Sequence, residues 1–139
     1  NAMVGIVHAI GHSLGGLCHI PHGQAMMMLL PHCVRFNLDR GIHAGLYGQL
    51  LDALAPARAA ALGATATPEA RDRAFLDELI ALNGLFHREH GVPLRLSELG
   101  VSRDDLPAVA KQARYDGAAL YNETEITLED AMTVLEAAY

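Results

Sequence analysis

The sequence predicts an all-α fold, and three features of its 139 residues carry that prediction. Alanine, leucine and glycine supply much of the 51% hydrophobic content, and β-branched runs are few, which favours packed helices over a sheet. Apolar residues recur at helical spacing, and helix-capping residues precede several of those segments. No strand of useful length is predicted. We expect six or seven helices in a single domain spanning residues 1–139.

The chain opens directly on an apolar helical pattern, which suggests that it is part of a longer protein. This first helix is expected to end near Gly15 and Gly16, because paired glycines favour a helix stop. The apolar set of this helix is Val4, Ile6, Val7, Ile10 and Leu14.

Two further helices are predicted before residue 55. One runs from about His22 to Asn37, and Pro31 should kink it, because proline removes a backbone donor and clashes with the preceding turn. The next spans Gly41 to Ala53. The Ala-rich stretch from Pro56 to Thr67 is predicted to be a less regular connection with a short helical piece.

The clearest helix runs from Pro68 to about His90, with Thr67 as its N-cap and Gly91 as its stop. The loop from Val92 to Gly100 is expected to hold a single turn. Ser102 should cap the next helix, which ends by Asp116 and Gly117, and Thr127 with Asp130 resembles a capping box for the last. The apolar stripe of the long helix is Phe75, Leu76, Leu79, Leu82 and Phe86.

Charge and composition exclude several classes of function. The formal net charge is −6 with only 10 Lys and Arg, so no basic stripe could neutralise the phosphates of a nucleic acid. The longest apolar run, Ala25 to Leu30, is far too short to span a membrane. The start lacks the pattern of a signal peptide, and Cys18 and Cys33 are too few for a disulfide scaffold. We expect a cytoplasmic protein with reduced thiols, and no nucleic-acid or membrane partner.

Four of the eight histidines, His8, His12, His19 and His22, fall within 15 residues. His8 and His12 are four positions apart and therefore share a helix face, about 6 Å apart along the axis. Two glycines let the chain reverse, so that His22 at the start of the next helix can return toward them.

Imidazole binds a metal only when it is neutral, and the positive end of the second helix should keep His22 neutral. The same helix end opposes a cation, so a carboxylate ligand from elsewhere would be needed. No carboxylate lies between His8 and His22. The nearest acidic residue, Asp39, should lie far from the histidines because the second helix separates them. The spacing therefore leaves two alternatives open: a partial metal site, or histidines that merely pack or face water.

The residues around these histidines closely resemble the signature of the iron-containing (group III) alcohol dehydrogenases. The resemblance begins with residues 5–16 and 19–23, which hold the four histidines. It continues through Ala25, residues 29–32, 36–37, 91–93 and 99–101, and the chain end from 126 to 139.

This resemblance implies a dehydroquinate synthase-like α domain, the helical C-terminal domain of that family. It also implies an alcohol and an aldehyde or ketone interconverted by metal-assisted hydride transfer. His8 and His22 would be ligands of a divalent metal, Fe²⁺ first and Zn²⁺ second. His12 would be a catalytic residue that also contacts the nicotinamide of NAD or NADP. The family's dinucleotide-binding domain and its other two metal ligands have no counterpart in these 139 residues.

Several residues near the histidines have more than one interpretation. Leu17 and Cys18 stand where many members carry aromatic residues, which leaves the family's substrate size preference open. Cys18 could contact the metal or be an oxidation-sensitive thiol, but the simpler interpretation is small pocket filling. Met26, Met27 and Met28 are interpreted as core. His32 is treated as structural, and His43, His87 and His90 are assigned to the surface or to helix ends.

We expect the isolated chain to be inactive and the small-molecule alcohol or aldehyde to be bound only in the longer parent. The alternative is a free-standing remnant or assembly module without catalysis. In the parent, earlier helices of the same domain flank the first helix. Without them, apolar residues of the first helix and some of Met26 to Leu30 should be exposed. A homo-oligomer that uses the first helix is therefore expected.

Overall fold

A computed structural model describes residues 5–139 and confirms the all-α prediction, because that part of the chain contains no strand. It has seven α-helices, within the predicted number, and three short 3₁₀ helices. The α-helices are α1 Gly5–Cys18, α2 His22–Asp39, α3 Tyr47–Leu54, α4 Pro56–Leu62, α5 Pro68–His90, α6 Leu106–Arg114 and α7 Leu128–Ala138. The 3₁₀ helices are Leu96–Leu99, Arg103–Asp105 and Gly117–Tyr121.

Helix boundaries with local capping chemistry fall where the sequence predicts them. The Thr67 side chain accepts a hydrogen bond from the backbone N–H of Ala70, and Gly91 ends α5 in the left-handed conformation with φ 66°. Thr127 and Asp130 form the predicted capping box at α7. Ser102 likewise caps the turn that leads into α6.

The predicted end of the first helix is wrong, because α1 continues through both glycines to Cys18. A side chain at Gly16 would meet Gln112 Nε2 at 3.2 Å, so α6 packs closely along this end of α1. The helix ends at Cys18 because the next residue, His19, has a φ of 57°, and the Ile20 N–H donates back to the Leu14 carbonyl oxygen at 3.4 Å. Tertiary packing therefore overrides the weak helix propensity of glycine.

The predicted start of the third helix at Gly41 is also wrong, because residues 40–46 form turns and α3 begins only at Tyr47. Gly41, His43 and Gly45 have φ values of 70°, 58° and 82°, which a right-handed helix does not allow. The short helical piece expected after Pro56 is present as α4.

The apolar stripe predicted for α5 is buried only in its first half. Leu76 and Leu79 are buried, whereas Leu82 and Phe86 are each 36% exposed. Helix α5 has 23 residues, whereas α3, which packs on it, has only 8. The second half of α5 therefore extends beyond α3.

Two groups of buried side chains hold the helices together. The larger lies between α1, α2, α6 and α7, with Ile10, Leu106 and Leu135 among its fully buried members. The smaller joins α2, α3, α4 and the first half of α5, around Leu51 and Phe75.

The exposure predicted for the apolar residues of α1 and of the start of α2 is found only in part. In α1, Val7 is half-buried, and the other described members of the set are buried. Ile6, Ile10 and Leu14 are 2%, 0% and 0% exposed, because helices α6 and α7 from the far end of the chain pack on them. Val4 lies outside the described residues. Of the α2 segment, Met28 and Leu29 are buried and Leu30 is 39% exposed. The oligomeric state itself stays a prediction.

Among the described helices, none combines the length and the apolar character that a membrane crossing requires.

Candidate metal centre

Helix α1 places His8 and His12 side by side on the face opposite its buried residues. Ile6, Ala9 and Ile10 point into the core, so the histidines one turn apart face outward. The centres of the two imidazole rings are 5.6 Å apart, in an edge-to-face arrangement. The predicted shared face is therefore confirmed.

The start of α2 brings His22 back to this pair, as the sequence predicts. Its ring centre lies 5.5 Å from that of His8 and 5.6 Å from that of His12. The three imidazoles thus form a nearly equilateral triangle, called here the histidine triangle. His12 and His22 are exposed and His8 is half-buried, so the triangle lies on an open face.

The start of α2 packs against α1 beside Gly11. A side chain at Gly11 would meet the Met26 methyl carbon at 1.8 Å and the Ala25 Cβ at 3.7 Å. Since Ala25 is fully buried and follows His22 by one turn, this contact fixes the start of α2 against α1.

The separation of the rings suits a shared ion. With metal–nitrogen bonds of about 2.0–2.1 Å, two imidazoles on one tetrahedral ion hold their ring centres roughly 5–5.5 Å apart. The His8 and His22 rings, at 5.5 Å, have that spacing. The residues present therefore fit two positions of a divalent metal site.

The donor set within residues 5–139 is partial. No three His, Cys, Asp or Glu side chains in that range are arranged to hold a metal by themselves. The Nδ1 of His12 lies 3.2 Å and 3.3 Å from the two carboxylate oxygens of Asp116. A complete site would draw further ligands from outside these residues.

Asp116 is the acidic residue that the sequence analysis missed. Asp39, the nearest acidic residue along the chain, is predicted to lie far from the histidines. Asp116, which follows His12 by 104 residues, contacts the histidine triangle through His12. Its position depends on α6, which packs on α1 through Val109, Ala110 and Ala113. The only local signal in the sequence is an Asp-Gly pair typical of a turn, which says nothing about contact with His12.

His19 and His32 lie apart from the histidine triangle. His19 is exposed at the turn after α1, where it occupies the left-handed region. His32 is half-buried on α2, and burial, with Arg35 as a smaller cause, lowers the pKa of its imidazole. The pKa shift keeps His32 neutral, in agreement with a structural role.

The remaining histidines sit in surface positions, as predicted. His43 Nδ1 lies 2.9 Å from a carboxylate oxygen of Glu123, and His87 Nδ1 lies 2.9 Å from the Val92 carbonyl oxygen. His90 is the last residue of α5.

Cys18, Met26 and Met28 pack against the larger core, and Met27 is half-buried. Cys18 is half-buried against the larger core, where burial, followed by the charge of Asp105, raises the pKa of its thiol. Met28 is buried and Met26 packs partly against the same core, which agrees with the prediction for these two. Leu17, by contrast, is 44% exposed.

Comparison with known proteins gives relatives along the whole chain. Lactaldehyde reductase of Escherichia coli strain K12 is 33% identical over 139 residues, covering 100% of this chain and 34% of the relative. Alcohol dehydrogenase 4 of Saccharomyces cerevisiae strain S288c is 30% identical over 139 residues, covering 100% and 32%. The chain thus spans about a third of the length of the curated relatives it matches.

A solved structure shares the fold. The crystal structure of a 1,3-propanediol oxidoreductase matches with a TM-score of 0.70 and 28% identity, covering 97% of this chain and 32% of that chain. The family model for the C-terminal part of the Fe-containing alcohol dehydrogenase family matches residues 1–139. On this evidence the chain belongs to the Fe-containing alcohol dehydrogenase family and represents its helical C-terminal domain.

Proposed function

We propose that residues 1–139 form the metal-binding domain of a dehydrogenase that interconverts a small alcohol and its aldehyde or ketone. The observation that carries this proposal is the 5.5 Å separation of the His8 and His22 rings on an open face. In this proposal His8 and His22 hold one divalent ion, Fe²⁺ in the first instance and Zn²⁺ in the second. Imidazole suits either metal, and the family is named for iron.

The bound metal would act as a Lewis acid toward the substrate oxygen and lower the pKa of the alcohol. The chain's own residues then orient the reacting groups. His8 and His22 come from two helices that share buried residues of the larger core, so the packing of α1 on α2 sets their relative position before any ligand arrives. The open face leaves room for the substrate and for ligands from the rest of the enzyme.

His12 is the proposed proton acceptor, and it also contacts the nicotinamide. In the oxidation direction the O–H bond of the alcohol breaks and its proton passes to His12 and then to solvent. A bound nicotinamide of NAD or NADP would supply the acceptor for the hydride of the carbinol carbon, while His12 takes the proton. His12 suits this role because its ring is 5.6 Å from those of both His8 and His22, and its side chain is 43% exposed.

The names of the relatives indicate the class of substrate. One is named a lactaldehyde reductase and another an alcohol dehydrogenase, and the structural neighbour is named for 1,3-propanediol. These names support a small alcohol or aldehyde as substrate. The nucleotide would be bound by the part of the enzyme that the relatives have in addition to this domain.

The test is metal content and turnover in the complete dehydrogenase that carries this chain. His8→Ala and His22→Ala should each remove bound metal and reduce alcohol oxidation by at least about 100-fold, because a ligand is lost outright. His12→Ala should retain the metal and lose turnover. His19→Ala is the matched control, since His19 lies in the same segment but outside the histidine triangle. Full metal content in His8→Ala or His22→Ala would refute the proposal.

A further inference from the structure

The contact between His12 and Asp116 joins the two ends of the domain. Both carboxylate oxygens lie within reach of His12 Nδ1, at 3.2 Å and 3.3 Å. The Asp116 side chain is only 20% exposed, whereas that of His12 is 43% exposed. The contact is therefore partly shielded from water on the side of the carboxylate.

Asp116 is held in place independently of the histidine. It is the N-cap of the 3₁₀ helix Gly117–Tyr121, and its Oδ1 accepts a hydrogen bond from the Ala118 N–H at 2.8 Å. The preceding helix α6 is anchored on α1 by fully buried side chains, among them Val109 and Ala113. The carboxylate is thus fixed before it meets His12, which is what a positioning group requires.

A carboxylate only accepts hydrogen bonds, so its partner nitrogen must carry the hydrogen. The carboxylate therefore selects the tautomer of neutral His12 with hydrogen on Nδ1, which leaves the lone pair on Nε2. We infer that Asp116 is a positioning residue for His12, one that fixes the ring orientation and presents the Nε2 lone pair at the histidine triangle. Its consequence for catalysis rests on the proposed function.

A carboxylate that holds one ring nitrogen also fixes where the other nitrogen points. His12 is thereby kept as a base that accepts the alcohol proton on Nε2. Without Asp116 the ring could rotate or adopt the other tautomer, in which Nε2 carries a hydrogen and accepts no proton.

The substitution that separates this role from helix capping is Asp116→Asn. Asparagine caps about as well as aspartate, so the 3₁₀ helix should be preserved. Its amide can donate to Nδ1, however, which favours hydrogen on Nε2. Asp105→Asn is the matched control, because Asp105 is also a capping carboxylate, bonded to the Ser102 N–H at 3.2 Å. Equal melting temperatures would verify that capping is intact.

The tautomer is measured by nitrogen-15 NMR of the histidine rings in the 139-residue chain, with His12→Gln used to assign the His12 signals. Wild type and Asp105→Asn should show hydrogen on Nδ1, and Asp116→Asn should show it on Nε2. Asp116→Glu, which restores the carboxylate, should return at least part of the Nδ1 form. Hydrogen on Nε2 in the wild type, or an unchanged tautomer in Asp116→Asn, overturns the inference.

The kinetic consequence is measured in the complete dehydrogenase. Asp116→Asn should lower kcat by about 10- to 100-fold, as expected for loss of a group that orients a functional histidine, with little change in KM for the alcohol. A switched tautomer with unchanged kcat would contradict the role in catalysis. A wild-type enzyme that turns over no alcohol would instead refute the proposed function, and the NMR result would still decide what Asp116 does to His12.

Discussion

The two thiols of the chain differ in how far each is shielded from solvent. Cys33 is 2% exposed within the larger core, and burial raises the pKa of its thiol far above the usual range. Cys18 is half-buried at the end of α1, with a pKa raised mainly by burial and less by Asp105. Both thiols should therefore be protonated at neutral pH.

A thiol-specific reagent should accordingly label the folded chain slowly, and at one position. Because the thiolate is the reacting form, labelling of Cys18 should accelerate as pH rises toward and beyond its raised pKa, while Cys33 reacts only after denaturation. Mass spectrometry of the labelled protein measures this order. Cys18→Ser should remove all labelling of the native chain. Equal labelling of the two thiols under native conditions would contradict the burial of Cys33.

Single residues were predictable where their partners are close in sequence. Thr67 and Thr127 cap helices through backbone groups three residues on, so their roles can be read locally. Asp116 could not be assigned in this way, because its partner His12 is 104 residues distant and meets it only after α6 has packed on α1. The sequence identifies the histidines of the site and misses the carboxylate that accompanies them.

At the scale of elements, a buried aspartate connects α5 to the turn before α3. Asp72 is 2% exposed, and its two carboxylate oxygens accept hydrogen bonds from the N–H groups of Gly45 and Gly48, each at 2.6 Å. A side chain at Gly48 would meet the Arg71 Cβ at 2.7 Å, so the helices touch closely here. The carboxylate compensates for one buried and one partly buried donor that no helix satisfies.

Asp72→Ala should lower the free energy of unfolding by about 2–4 kcal/mol, because it leaves the buried N–H of Gly48 and the partly buried N–H of Gly45 without an acceptor. Urea denaturation followed by circular dichroism measures the change. The control is Asp77→Ala on the same helix, whose exposed carboxylate lies 3.7 Å from Arg58 and should matter by less than about 1 kcal/mol. Similar losses in both variants would mean that the Asp72 contacts contribute little.

Asp72 also explains why the start of α3 was predicted wrongly. Two of the six residues from Gly41 to Leu46 are glycines. Three positive φ values and the hydrogen bond from Gly45 to Asp72 hold the segment in turns. A sum of helix propensities along the chain takes no account of a hydrogen-bond acceptor that another helix supplies. The end of α1 was misplaced for the same reason, since α6 supports the helix through its glycines.

At the scale of the whole molecule, the helical class and the approximate order of helices were predictable because composition and periodicity are distributed over the chain. The burial of α1 was not, since it depends on α6 and α7 returning from the far end. Which apolar residues remain exposed is likewise a property of the packed molecule, as Leu82 and Phe86 on α5 demonstrate.

The 139-residue chain by itself should show no alcohol oxidation with NAD or NADP. Its sequence has no glycine-rich loop to bind a pyrophosphate, and its metal ligands are incomplete within residues 5–139. Absorbance at the nicotinamide band, with a small primary alcohol as substrate, measures the rate. The prediction would be contradicted by a rate above that of buffer alone, if that rate is lost in His12→Ala. Such a result would place a nucleotide site within these residues.

The central claim, that His8 and His22 hold one ion together, is tested most directly by titrating the 139-residue chain with Zn²⁺ and following the histidine ring nitrogens by NMR. Zinc is a suitable probe because it binds nitrogen ligands more tightly than Fe²⁺ and has no redox chemistry. The account predicts that the His8 and His22 signals shift together and saturate at one ion per chain. The His19 signals should stay unchanged, and His8→Ala should abolish the response of His22. A His22 response that survives His8→Ala, or no response of either ring in excess zinc, would contradict the claim.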